Sequence, residues 1–138
     1  MGFLDSLLKR KGGGDELQAL RERVEKNPKD WKLANDLSMQ LKAKGEVEQA
    51  VHYALVAARA HKDNGFLQKA LAVVRGAEAW GNPSADLLRT IADLHLELKH
   101  KEDARGALIK LRRFHSENGN MGELHSIDAQ LAELGPGR

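Results

Sequence analysis

The run Ile91–Ala104, IADLHLELKHKEDA, decides the fold. Ile91, Ala92, Leu94 and Leu98 recur at helical spacing, with Asp93 and Glu97 between them. His100-Lys101 interrupts the pattern, and Glu102 opens a new one with Ala104 at its first small position. Two helices that meet at so short a break must turn back on each other.

Working outward, the same arrangement recurs. Toward the N-terminus, Ser84 is placed to cap the helix that ends in this run, after the breaker Gly81-Asn82-Pro83. Toward the C-terminus, Ala107, Leu108, Leu111 and Phe114 continue the second helix to Asn118-Gly119-Asn120. Further out, Asp30 caps a helix over Trp31–Lys44, and Gly45 suits the left-handed position that closes it. The next helix, Val47–Lys62, is rich in alanine: Ala50, Ala54, Ala57, Ala58 and Ala60. Breakers fall near residues 28, 45, 64, 82, 100 and 119, so each helix with its turn takes 17 to 19 residues. A half-repeat of one length predicts an all-α fold, an α-solenoid of antiparallel helical hairpins with about six to seven helices.

Composition agrees. The chain has 138 residues, enough for one domain with a real core. Aromatics make up 4%, against 41% apolar and 30% charged residues, which favours helices over sheets. The absence of cysteine removes disulfides, zinc ribbons and thiol catalysis. No stretch approaches the 18 apolar residues of a membrane span, and no secretory signal follows the start, so a cytoplasmic protein is expected. The net charge of +2 belongs to residues 1–13, where Lys9, Arg10 and Lys11 outweigh Asp5. The neutral remainder lacks the concentrated basic face of a nucleic-acid binder, and no specific nucleic acid is expected.

Two segments resemble tetratricopeptide repeats (TPR), units of 34 residues. The first, Trp31–Asn64, has Leu37-Ser38 at the family's Leu-Gly pair, Gly45 at the turn, and Ala50 and Ala57 at the small contacts of the second helix. The second, Ala85–Asn118, has Ile91, Ala92, His95 and Ala104 in those places, but Lys99 where the turn glycine belongs. Their starts lie 54 residues apart, twenty more than one repeat. The excess predicts an irregular stack, in which the helix after Gly45 serves two hairpins. The TPR-like domain is expected over 15–135.

The resemblance implies a groove lined by the first helix of each hairpin. That assigns Lys32, Asn35, Met39 and Lys42 on one helix, and Arg89, Asp93 and Glu97 on another, to a protein or peptide partner, with Asp86 at the rim. Family members that clamp a terminal carboxylate use a Lys/Asn/Arg set across three regular repeats. Met39 stands where that clamp wants Asn, so the clamp does not carry over.

Nothing in the sequence points to catalysis. The phosphate-loop, dinucleotide, metalloprotease and nucleophile-elbow motifs are all missing. None of the six histidines is four residues from another, so no helix presents a two-histidine metal edge. His95 reads as a packing residue. No enzyme, metal or cofactor is expected. Lys99, Lys101, Arg105, Lys110, Arg112 and Arg113 form a mildly basic stretch, the sole basis for a nucleic-acid reading.

Residues 1–11 carry Phe3, Leu4, Leu7 and Leu8 on one helical stripe, followed by the glycine linker 12–14. Met1-Gly2 with Ser6 also fits a short acylation pattern. The stripe suits a cap on the solenoid, a docking helix for a protein groove, or weak contact with a membrane surface. The expected function is a non-enzymatic protein-interaction module with a tethered docking helix. The alternatives are an escort that holds an unfolded client segment, and a nucleic-acid-binding helical repeat. Composition does not fix the oligomeric state.

Overall fold

The computed structural model describes residues 16–137. Among them lie seven helices: α1 (16–26), α2 (Trp31–Ala43), α3 (Val47–Asp63), α4 (Leu67–Glu78), α5 (Ala85–Glu97), α6 (Lys101–Glu117) and α7 (Met121–Leu134). No strand occurs among the described residues.

The breakers act as their chemistry requires. The Asp30 carboxylate accepts from the amides of Lys32 and Leu33, and the Ser84 hydroxyl accepts from Leu87. Each satisfies amides that the first helical turn leaves unpaired. Four helix ends share one closure. The residues at its left-handed position are Gly45, Gly65, Lys99 and Gly119, with φ of 82°, 81°, 61° and 72°. In each, the following amide reaches back five residues: Glu46 to Leu41, Phe66 to His61, His100 to His95 and Asn120 to His115, at 2.8–2.9 Å. This pairing satisfies the last carbonyls and reverses the chain within three residues.

Consecutive helices pack as neighbours, and small residues set how closely they approach. Three pairs of small residues repeat at a spacing of twelve: Ser38 with Ala50, Ala58 with Ala70, and Ala92 with Ala104, all fully buried. Helix α3 packs on both α2 and α4, as the shared-helix reading expected. Its nine buried residues include Ala50, Ala54, Ala57, Ala58 and Ala60, which keep both of its sides thin. Leu17 and Val24 of α1 close one end of the core against Leu37, Leu41 and Tyr53. Leu108, Leu111 and Ile127 carry the core on to α7.

The shared helix supplies the first helix of a repeat of its own. Counted from Val51 rather than Trp31, the next repeat begins at Ala85, 34 residues on. In that frame Ala58 matches Ala92, His61 matches His95, Gly65 matches Lys99, and Ala70 matches Ala104. Helices α3 and α5 also touch directly, as equivalent helices of successive repeats do. The stack therefore keeps the 34-residue period from α3 to α6, with α3 shared between α2 and α4.

Candidate functional site

The phase of the repeat decides which face forms a groove. Helices α3 and α5 stand side by side, one repeat apart. Arg21 of α1 reaches Glu46 and Gln49 at one edge of this face, and Gln130 of α7 reaches Arg89 at the other. A pocket of about 730 Å³ opens at one end of the face. Val51, Leu55 and Trp80 supply apolar lining, while Arg21, Glu25, His52 and Asp86 supply the polar part. A second depression of about 250 Å³ continues along α3 and α5, lined by Arg59, Lys62, Asp86, Arg89 and Asp93. Asp86 lines both, so the two depressions adjoin along this face as the α3–α5 channel.

Charge in this channel is largely paired. Lys62 meets Glu97 at 2.9 Å, which ties α3 to α5. Arg89 reaches Asp93 at 3.4 Å and the Gln130 side chain of α7 at 2.8 Å. The Thr90 hydroxyl donates to the Asp86 carbonyl of its own helix at 2.7 Å. Burial, then Glu25, pushes the Tyr53 phenol above its ordinary value.

The seven groove residues expected from the sequence do not share one groove. Arg89, Asp93 and Glu97 lie on the α3–α5 face just described, with Asp86 at the junction of its two depressions. Asn35 and Met39 instead line a third hollow with Val73, Gly76 and Trp80, and Trp80 also lines the first pocket. Lys42 places its ammonium 5.5 Å from the Trp80 ring on that same side. Lys32 stands exposed at the start of α2, 5.7 Å from the Trp31 ring. The division follows from the repeat phase, since α2 precedes the repeat that starts at Val51. Helices α2 and α5 make no contact with each other. Sequence reasoning missed His52 and Arg59. The 34-residue match of Val51 to Ala85 was the signal that would have found them.

The basic stretch is dispersed by pairing. Lys110 binds Glu78 at 3.1 Å, and Arg112 binds Asp128 at 2.6 Å. The hydrogen bond of that second pair raises the Arg112 value and lowers that of Asp128. Arg105 turns inward to the carbonyls of Leu134 and Pro136. Three of the six bases are thus occupied within the fold. Phe3, Leu4, Leu7 and Leu8, with the linker 12–14, lie outside the described residues.

The repeat period of 34, the shared turn closure and the twelve-residue spacing of small pairs together define the architecture. The fold is a short TPR-like array. No family model matches the chain, and no curated protein matches it. One solved structure similar to it is the crystal structure of YrrB, described as a TPR protein with an unusual peptide-binding site. The likeness has a TM-score of 0.41 at 16% identity, over 87% of this chain and 76% of that one. The helix pairing itself, rather than that likeness, defines the TPR-like array.

Buried histidines mark the same place in three helices, α3, α5 and α6. His61, His95 and His115 each stand near the end of their helix, at the residue whose carbonyl accepts the turn's closing amide. His61 stacks on Trp31 with ring centres 4.6 Å apart, and the Asn120 amide meets His115 Nδ1 at 2.9 Å. His95 instead faces His100 and Asp103. Burial holds the imidazoles of both His61 and His95 below their ordinary value. Around His95, Asp103 opposes that shift, while His100 and Arg75 reinforce it.

Proposed function

We propose that the chain is a non-enzymatic protein-interaction module whose α3–α5 channel takes a peptide segment of a partner protein. The observation that supports this reading is the pair of adjoining depressions that share Asp86, apolar at Val51, Leu55 and Trp80 and charged along Arg59, Arg89 and Asp93. Apolar anchors give such a contact affinity, and mixed charge along the rim gives it direction and partner choice. The two aliphatic hydroxyls that line the channel are committed structurally, Ser84 to a helix cap and Thr90 to its own backbone.

Residues 1–11 form the second part of the proposal. Their stripe of Phe3, Leu4, Leu7 and Leu8 on a glycine tether is the pattern that helix-binding grooves read. On this reading the protein works in the cytoplasm, and the tether brings the module to a second surface.

Affinity purification from the native cell tests both parts. Arg59→Glu and Asp86→Lys alter the channel, Met39→Glu and Lys42→Glu alter the hollow beyond Trp80, and a chain beginning at Asp15 lacks the tether. A stoichiometric partner kept by the second pair and lost by the first supports the channel. A partner lost only by the second pair moves the site to α2 and α4. No stoichiometric partner with any form removes the reading.

A further inference from the structure

The turn between α5 and α6 is chemically unlike its three counterparts. In each such turn, three residues come together: the last buried residue of one helix, the residue five positions on, and the residue three beyond that. The sets are Leu41, Glu46 and Gln49; His61, Phe66 and Lys69; His115, Asn120 and Glu123; and His95, His100 and Asp103. The scaffold accepts all four, so its folding does not demand two imidazoles and a carboxylate at one of them.

At that turn the donors converge. A ring nitrogen of His95, a ring nitrogen of His100 and a carboxylate oxygen of Asp103 all lie within 4.8 Å of one another. His95 is 5% exposed, and its Nδ1 is buried without a hydrogen-bond partner, as is the Nδ1 of His61 one repeat earlier, so the convergence of three donors is what sets this turn apart. Among the described residues Asp103 forms no ion pair within 4.0 Å. His61, the equivalent of His95, packs on Trp31 with Phe66 and Lys69 at the matching turn positions, and therefore shows what this position looks like without ligands around it.

We propose that His95, His100 and Asp103 bind a divalent transition-metal ion, Zn²⁺ by the chemistry of the donor set. Two imidazoles and one carboxylate suit zinc and its neighbours better than the hard cations that prefer oxygen alone. Zinc bonds of about 2.0–2.2 Å in a tetrahedron place donors roughly 3.4 Å apart. His100 is half-buried and Asp103 exposed, so side-chain rotation closes the remaining gap. Three protein ligands leave a fourth position for water or for a side chain of a partner. The ion staples α5 to α6 across the turn and stabilises the fold in proportion to its occupancy.

The test is calorimetric titration of Zn²⁺ into the metal-free full chain, with Co²⁺ absorption as a second readout of coordination. His100→Phe and Asp103→Lys install the side chains that the preceding turn already carries, so the fold tolerates them. His125→Ala, at an exposed histidine on α7, is the control. The expected result is one equivalent of Zn²⁺, weakened about tenfold or more by either turn variant and unchanged by the control, since losing a ligand costs at least as much as losing an outer-shell partner. Binding that survives both turn variants overturns the proposal, as does the absence of binding to the full chain.

Discussion

The Ser38 hydroxyl donates to the Ala50 carbonyl oxygen at 2.6 Å, across the interface between α2 and α3. Both residues are buried to 1% exposure or less. The contact binds two helices at their closest approach, where a larger side chain has no room. Replacing Ser38 with Ala removes one buried hydrogen bond and is expected to cost about 1 kcal/mol. Ser38→Leu forces the helices apart and is expected to cost more than about 2 kcal/mol. Urea denaturation followed by circular dichroism reads both. A Ser38→Leu chain as stable as wild type would show that the helices are not in close contact there.

The same contact explains what the sequence could and could not disclose. Helix boundaries were legible because Gly45, Gly65, Gly119 and the caps Asp30 and Ser84 have local physical signatures. The phase of the repeat was not. The small Ala50 and Ala58 of α3 let it pack on both α2 and α4, so Trp31 and Val51 start equally good repeats. Choosing Trp31 put Asn35 and Met39 in a groove with Arg89, which the structure separates. The His95–His100–Asp103 cluster was hidden for another reason. Lys99 lies between His95 and His100, so helical periodicity does not run from one to the other, and it is this left-handed residue that folds them together.

Lys99 is the one turn residue of the four that pays for its conformation. At φ 61° its Cβ crowds the following carbonyl, a cost of about 1–2 kcal/mol that glycine avoids. Part of that advantage is offset by the greater freedom of glycine in the unfolded chain. Lys99→Gly is therefore expected to stabilise the fold by about 0.5–1 kcal/mol. Gly65→Ala at the equivalent turn is expected to destabilise it, and since a Cβ there meets nothing within 4 Å, backbone strain alone is responsible. Paired thermal melts test the sign. A stabilising Gly65→Ala would contradict it.

Stability is expected to fall on mild acidification. Burial, then the Lys69 ammonium, holds the folded-state His61 imidazole below its ordinary value of 6.5. As pH drops through that value the unfolded chain takes the proton while the folded chain does not. The unfolded state is thereby favoured by up to about 1.4 kcal/mol per pH unit for each such histidine. Chemical denaturation at about pH 7.5 and about pH 5.5, on either side of the ordinary histidine value, measures the loss. His61→Phe keeps the ring against Trp31 but removes the titration, so its pH slope is expected to be shallower than that of wild type. An unchanged slope would remove His61 from the account.

Arg105 of α6 holds the end of α7. Its guanidinium donates to the carbonyls of Leu134 at 3.4 Å, of Pro136 at 3.3 Å, and of Gly135. The Leu134 oxygen is one that the helix end leaves unpaired, those of Gly135 and Pro136 belong to the cap and the residue after it, and the negative end of the helix dipole lies there too. A guanidinium can reach several of them at once, which a lysine ammonium on a flexible stem does not do in the same geometry. Arg105→Lys is therefore expected to behave almost as badly as Arg105→Ala, each costing about 1–2 kcal/mol. The loss is local, because α7 packs chiefly on α6 and closes only one end of the core, with Ile127 as its buried anchor. Amide exchange is expected to speed up over residues 124–134 and to stay slow in α2 and α3. Uniform acceleration along the whole chain would mean that α7 and the stack unfold as one unit, and that Arg105 acts on global stability rather than on the last helix.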